Sequence, residues 1–148
     1  MIRWMALPVA VGLLAMPTTA SAKTIGPEQF GLHVQTLGAG ATPSASVSAV
    51  RLWDSGVRWD QIETSKGVYN WAALDRAVSA AERAGADEIL YVLGSTPKWA
   101  ASKFSNVDLY GPGTASLPKK SSYYLKYAKA VAQRYKGRIT SYQIWNEA

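Results

Sequence analysis

Near the C-terminal end of the sequence, Trp145-Asn146-Glu147 brings together an indole, a carboxamide and a carboxylic acid. A carboxylic acid can give a proton to the leaving oxygen of a sugar ether bond, and a carboxamide beside it can hydrogen-bond a ring hydroxyl near the reacting carbon. An indole offers a flat apolar face to sugar C–H groups. Two more residues could join them. Arg51, a permanently charged planar donor, lies in Val50-Arg51-Leu52-Trp53-Asp54, and Trp99 follows Gly94-Ser95-Thr96-Pro97-Lys98. Taken singly, none is informative: a lone Glu ends a strand in a surface loop, an Arg completes an ion pair, and a Trp packs a loop as readily as it stacks on a ligand. The chemistry depends on elements that carry positions 51, 99 and 145–147 to one place.

Hydrophobic patterning supplies such elements. Phe30 to Gln35 is a short apolar run that reads as a first strand, followed by a Gly/Ala/Thr/Ser-rich loop over 36–46. Ser48 to Asp54 reads as a second strand, stopped by Ser55-Gly56. From Asn70 the period changes: Trp71, Leu74, Val78 and Ala81 recur at spacings of three and four, Asn70 can cap the start, and Gly85 is a left-handed stop. Glu88 to Leu93 is a continuous apolar run, the pattern of a parallel strand covered on both sides. A long aromatic-bearing loop, Ser95 to Lys120, precedes a second helix from Ser121 to Tyr135 with Tyr124, Leu125, Ala128, Val131, Ala132 and Tyr135 on its inner stripe and Gly137 after it. A last strand runs from Ile139 to Glu147.

Strands alternating with amphipathic helices give right-handed parallel units, so the fold class is α/β. An open nucleotide-binding sheet calls for a Gly-rich turn of the GxGxxG or GxxxxGK[ST] kind, and Gly38-Ala39-Gly40 alone is a poor substitute. A (β/α)8 TIM barrel accounts better for the polar and aromatic residues at the strand C-terminal ends, 51–54, 94–99 and 145–147, because barrel active sites lie there.

Composition narrows the function. The chain has 148 residues, 16 Lys+Arg against 10 Asp+Glu, one His and no Cys. Disulfides, thiolate metal sites and a cysteine nucleophile are excluded, a transition-metal site is not expected, and no cofactor is called for. The excess of positive charge gathers in Lys119, Lys120, Lys126, Lys129, Arg134, Lys136 and Arg138 at helical spacing, which reads as a solvated helix face. No nucleic-acid module accompanies it, so nucleic acid is not the expected partner. Residues 1–22 have a basic start at Arg3, an uncharged and mostly apolar stretch from Trp4 to Met16, and the small-residue site Ala20-Ser21-Ala22. That pattern predicts a cleaved secretory signal, hence a secreted or cell-envelope protein without stable membrane insertion.

Several of these segments form an ordered set of motifs. Tyr142-Gln143-Ile144-Trp145-Asn146-Glu147 resembles the fourth-strand signature of clan A glycoside hydrolases, and Val50-Arg51-Leu52-Trp53 is similar to their second strand. Trp59-Asp60-Gln61-Ile62-Glu63 with Lys66-Gly67-Val68-Tyr69-Asn70-Trp71 resembles their link into the second helix, and Leu93 to Ala100 their third strand and its loop. The likeness is greatest to cellulase-like and family 39-like members. It implies a retaining two-carboxylate mechanism on a carbohydrate substrate, with Glu147 as acid/base, Asn146 holding the 2-hydroxyl, Arg51 orienting the second carboxylate, and Trp99 either stacking on a sugar or packing its loop. Trp53 and Trp145 are expected as core residues near the mouth, His33 as a satisfied core histidine, and Glu63 as a locally paired structural group.

The resemblance puts the nucleophile on a seventh strand, whereas residues 23–148 supply roughly strands 1 to 4 with their helices. The expectation is therefore the N-terminal half of a barrel, inactive alone. Two other readings use the same residues: a non-catalytic carbohydrate-binding protein of the cell envelope, and an envelope protein held to acidic polymers by its basic helix. Sugar, linkage and oligomeric state are not legible.

Overall fold

The structure is a computed structural model that describes residues 25–26, 29–104 and 108–146. The expected secretory signal and Glu147 lie outside the described residues. Four strands, β1 (Gly31–Leu32), β2 (Ala49–Leu52), β3 (Glu88–Leu93) and β4 (Ser141–Ile144), form one all-parallel sheet in the order β1-β2-β3-β4. Between them run a 3₁₀ turn (Leu37–Ala39), a single helical turn α1 (Trp59–Ile62), and two longer helices, α2 (Ala72–Arg83) and α3 (Ser121–Arg134). Consecutive strands lie side by side without a switch point. This is the arrangement of a partial barrel, which the described strands do not close.

Register decides which side chains face the helices. Val50 pairs with Ile89 and Leu52 with Tyr91, so these residues and Leu93 point to one face. All five are buried there with Leu74, Ala77 and Val78 of α2 and Tyr127 and Val131 of α3. Ala49, Arg51, Leu90, Val92, Ser141 and Gln143 fall on the opposite face by the same alternation. Trp59 is the largest fully buried side chain. Its ring stacks on Tyr127 with centroids 5.1 Å apart. The Tyr91 hydroxyl donates to the Val57 carbonyl. With that single proton spent, Tyr127 must be the donor in the 2.6 Å contact between the two hydroxyls.

The helices form where the sequence predicts them, with informative differences. Asn70 Oδ1 accepts the Ala72 backbone N–H (3.1 Å), and Gly85 takes the left-handed conformation (φ 84°) that ends α2. On α3 the buried stripe is Tyr127, Val131 and the following Tyr135, flanked by half-buried Tyr124 and Ala128, while Leu125 and Ala132 are exposed. The stripe is rotated from the expected one because Tyr127 reads as interfacial until its hydroxyl has a buried partner. β1 is two residues rather than six, because the chain turns into the 3₁₀ segment, where Gly40 N–H closes onto Leu37 O at 2.9 Å. Gly38 is required there, since a Cβ would sit 1.7 Å from the Ser55 carbonyl oxygen. The basic face is partly neutralised: Arg134 reaches Asp75 (2.7 Å) and Arg138 reaches Glu82 (2.7 Å), pinning α3 and its C-terminal turn to α2. Among the described residues no helix is long and apolar enough to cross a membrane.

Candidate active site

At the C-terminal edge of the sheet, Arg51 projects from β2 toward β4. Its Nη2 donates to Asn146 Oδ1 at 2.5 Å and its Nε to Gln143 Oε1 at 3.3 Å. Two residues singled out by sequence, 95 positions apart, are thus joined directly. Regular alternation would turn Asn146 to the helix face. Trp145 prevents this by adopting φ 65°, a left-handed conformation uncommon for a large side chain. It is held by its N–H to Leu93 O (2.9 Å) and by Gln143 Nε2 donating to its carbonyl (2.9 Å). Because Arg51 is only a donor, the Asn146 oxygen must face it, leaving the Asn146 Nδ2 hydrogens directed elsewhere. Among the described residues Arg51 has no carboxylate within ion-pair distance.

The adjoining wall comes from β2 and the loop over 95–120. Trp53 is buried, and its Nε1–H donates to the Tyr110 hydroxyl at 3.1 Å while the rings meet edge to face at 5.7 Å. The Arg58 guanidinium lies over the Tyr110 ring, 4.2 Å from its centre. Burial, opposed by the Trp53 hydrogen bond and reinforced by the nearby Asp54 carboxylate, raises the Tyr110 pKa above the ordinary phenol value. Arg58 is itself placed by Asp60 (3.1 Å) and lies 3.9 Å from Asp54. A cleft of about 310 Å³ opens between Trp53, Ser95, Tyr110, Trp145 and Asn146. Ser95 also has positive φ, 68°. Among the described residues three buried side-chain oxygens lack a hydrogen-bond partner, Asp54 Oδ1, Ser55 Oγ and Ser95 Oγ, and all belong to residues just past the ends of β2 and β3.

Other expected residues are placed differently. Trp99 is not brought to the Arg51–Asn146 pair: its Nε1–H donates to the Glu63 carbonyl (2.7 Å), and its ring meets Trp59 and Tyr123. His33 is not a core residue. It lies at the surface just past the end of β1, with Nε2 3.9 Å from Asp54 Oδ2. Glu63 is structural as expected, 3% exposed, accepting from Trp59 Nε1 and from the Gly67 backbone N–H, both at 2.7 Å. Gln143, Ser95 and Tyr110 line the site although the sequence names none of them as a site residue. Gln143 is findable, since it shares strand parity with the residue paired to Arg51's row. Ser95 falls in the strand-end stretch 94–99 and Tyr110 in the aromatic-bearing loop, but a loop's docking has no period that would set them apart from their neighbours. Among the described residues no group of three or more His, Asp or Glu is arranged to hold a metal ion. A larger hollow, about 670 Å³, is lined by Leu117, Pro118, Ser121, Tyr124, Ile144 and Trp145 and is mostly apolar.

No protein-family model and no curated protein matches the chain. Solved structures do. A family 39 glycoside hydrolase from the gut symbiont Bacteroides cellulosilyticus WH2 superposes with a TM-score of 0.54 at 20% identity, over 79% of this chain and 24% of that one. β-Galactosidases from the psychrophilic Marinomonas ef1 (TM-score 0.47, 20% identity, 68% of this chain and 17% of that one) and from the Antarctic haloarchaeon Halorubrum lacusprofundi (0.46, 18%, 68% and 17%) are more distant. Of these three, the first alone is near enough to bear on the fold, and it is the fold alone that it shows: an α/β partial barrel. The chain spans about a quarter of that structure's length.

Proposed function

We propose that the chain carries the acid/base side of a retaining glycosidase site. The observation that supports this best is the direct hydrogen bond between Arg51 and Asn146 at the C-terminal edge of the parallel sheet, one residue before Glu147. In this reading Glu147 is protonated in the resting site and gives its proton to the glycosidic oxygen as the bond to the anomeric carbon breaks. A second carboxylate, about 5 to 5.5 Å away, attacks that carbon to form a covalent glycosyl-enzyme. Glu147, now ionised, takes a proton from the water that displaces the sugar, and the anomeric configuration is retained. Asn146 uses Nδ2–H to hold the substrate's 2-hydroxyl, its oxygen being occupied by Arg51. Arg51, without a carboxylate of its own among the described residues, supplies the positive charge that orients the nucleophile.

That nucleophile belongs, in this reading, to strands beyond the four described here. Among the described residues β1 and β4 are open parallel edges, and Arg51 and Gln143 stand on a face that further strands of a closed barrel would cover. The 148 residues alone are expected to give no turnover, and secretion to the cell envelope or beyond is part of the same proposal. The test is to monitor, by NMR, the anomer first released from a polysaccharide or aryl glycoside by a protein that carries the whole barrel. Retention is expected, and inversion would overturn the mechanism. Hydrolysis by the 148-residue chain itself would remove the need for a distant nucleophile. Binding of oligosaccharide without any hydrolysis by the complete protein would favour instead a carbohydrate-binding role for the Trp53–Tyr110–Trp145 cleft.

A further inference from the structure

We propose that Gln143 is a positioning residue for Asn146: it holds the left-handed turn at Trp145 that brings the Asn146 amide to Arg51. What that amide does to a substrate rests on the glycosidase reading; the brace rests on its own geometry. β4 pairs with β3 as far as Ile144 opposite Leu93, and Gln143 shares with Arg51 the face opposite the helices. Plain alternation would send residue 146 to the helix face, with Tyr142 and Ile144. The chain turns instead at Trp145, φ 65°, directly after the last pair. A left-handed backbone is unfavourable for a residue with a Cβ, and glycine would make the turn freely. Position 145 also supplies a side chain to the wall of the cleft, so the turn has to rest on hydrogen bonds.

Two such bonds meet at Trp145, and only one of them depends on its handedness. The Trp145 N–H, which donates to Leu93 O at 2.9 Å, precedes the φ rotation in the chain, so this bond forms whichever way the residue turns. The Trp145 carbonyl follows that rotation. The 2.9 Å bond it accepts from Gln143 Nε2 therefore selects the turned chain. Arg51 fixes the sense of this contact. Being a donor only, it requires Gln143 Oε1 to face its Nε (3.3 Å), which leaves Gln143 Nε2 for the Trp145 carbonyl. The same guanidinium takes Asn146 Oδ1 through Nη2, so one planar fork orients both amides while Gln143 holds the backbone between them.

The test uses Gln143→Leu and Gln143→Glu in a protein that carries the whole barrel, compared with their parent by crystal structure and by kcat/KM on an aryl glycoside and its 2-deoxy counterpart. Leucine removes both polar atoms. Glutamate keeps an acceptor for Arg51 but has no donor for the Trp145 carbonyl, so it separates the brace from the Arg51 contact. Both variants are expected to lose the left-handed turn at Trp145 and the Arg51–Asn146 hydrogen bond. Their preference for the 2-hydroxylated substrate over the 2-deoxy one should shrink about tenfold, the loss of one hydrogen bond. A general loss of stability, or a changed charge on Arg51, would lower the rates on both substrates alike. Trp145 still left-handed, Asn146 still on Arg51 and an undiminished preference in either variant would overturn the proposal. The two readings fail separately. A parent that hydrolyses neither substrate, or both equally, would sink the role given to Asn146, and the crystal structures of the variants would still decide the brace. A parent with a strong preference whose variants keep both the turn and that preference would sink the brace and keep the glycosidase reading.

Discussion

At the residue scale, the two most consequential side chains are buried or half-buried hydrogen-bonding groups, Arg51 and Glu63, with opposite duties. Arg51 ties the tip of β2 to Asn146 and Gln143 through separate nitrogens of one planar fork, a geometry that a lysine ammonium cannot copy. On the proposed glycosidase reading, and in a protein that carries the whole barrel, Arg51→Lys is expected to leave the fold intact and to lower kcat/KM by about two orders of magnitude, the usual consequence of a small misplacement of a reacting group. Steady-state rates on an aryl glycoside check this, and a rate within about twofold of the parent would contradict it. Glu63 is buried away from the Arg51–Asn146 pair, against Trp59. Its carboxylate ties the buried Trp59 indole to the backbone N–H of Gly67 in an exposed turn. Glu63→Ala should cost about 1–3 kcal/mol in urea denaturation, because the buried Trp59 N–H loses its acceptor. Sequence pattern distinguishes these duties only partly. Arg51 stands out as a lone charge in an apolar strand, but its contact with Asn146 depends on the left-handed Trp145, and backbone handedness at a non-glycine residue leaves no mark in composition.

At the scale of elements, α2 and β3 are legible almost to the residue, because their burial is one-sided or complete and so imposes a clean period. α1 and the 3₁₀ turn are not, being single turns too short to repeat anything. β1 is shorter than its sequence suggests, since a brief apolar run looks the same whether it enters a sheet or a turn. The tie between α2 and α3 is hidden because ion pairs depend on how two helices cross. It has a pH signature. Hydrogen bonds and charge from Arg134 hold the Asp75 carboxyl below its ordinary pKa, with the Tyr135 hydroxyl assisting. A carboxyl depressed in the folded state adds stability above its unfolded pKa, about 3.9, that is lost as pH falls through the folded value. Both partners are well exposed to solvent, so the contribution is modest, under about 1 kcal/mol. Asp75→Asn should therefore flatten the acid limb of a stability-against-pH curve slightly. A steeper limb in the variant would contradict the assignment.

Across the whole molecule, the buried tyrosines set the opposite limit of stability. Desolvation raises the Tyr91, Tyr127 and Tyr135 hydroxyls well above the ordinary phenol pKa, and Tyr124 and Tyr142 are raised by the same cause. All are neutral in both states below about pH 10, the unfolded value, and above it only the unfolded chain ionises freely. Stability should thus be level through neutrality and fall as pH rises past about 10, observed by circular dichroism together with phenolate absorbance. Absorbance from these five tyrosines that develops fully near pH 10 without loss of structure would contradict this. The barrel class is legible from the order of elements and from polar residues gathered at strand ends. The openness of the sheet follows from counting strands, and the role of Tyr110 in walling the cleft requires the docking of a loop that no local pattern specifies.

The most direct test of the central claim is the leaving-group dependence of Glu147→Gln in a protein that carries the whole barrel. If Glu147 is the general acid, hydrolysis of a glycoside with a poor leaving group, such as an alkyl glycoside, should fall by at least about a hundredfold. Release of 2,4-dinitrophenol, which needs no proton, should be largely preserved in the glycosylation step. Equal rates on both substrates before and after the substitution would remove Glu147 from the chemistry.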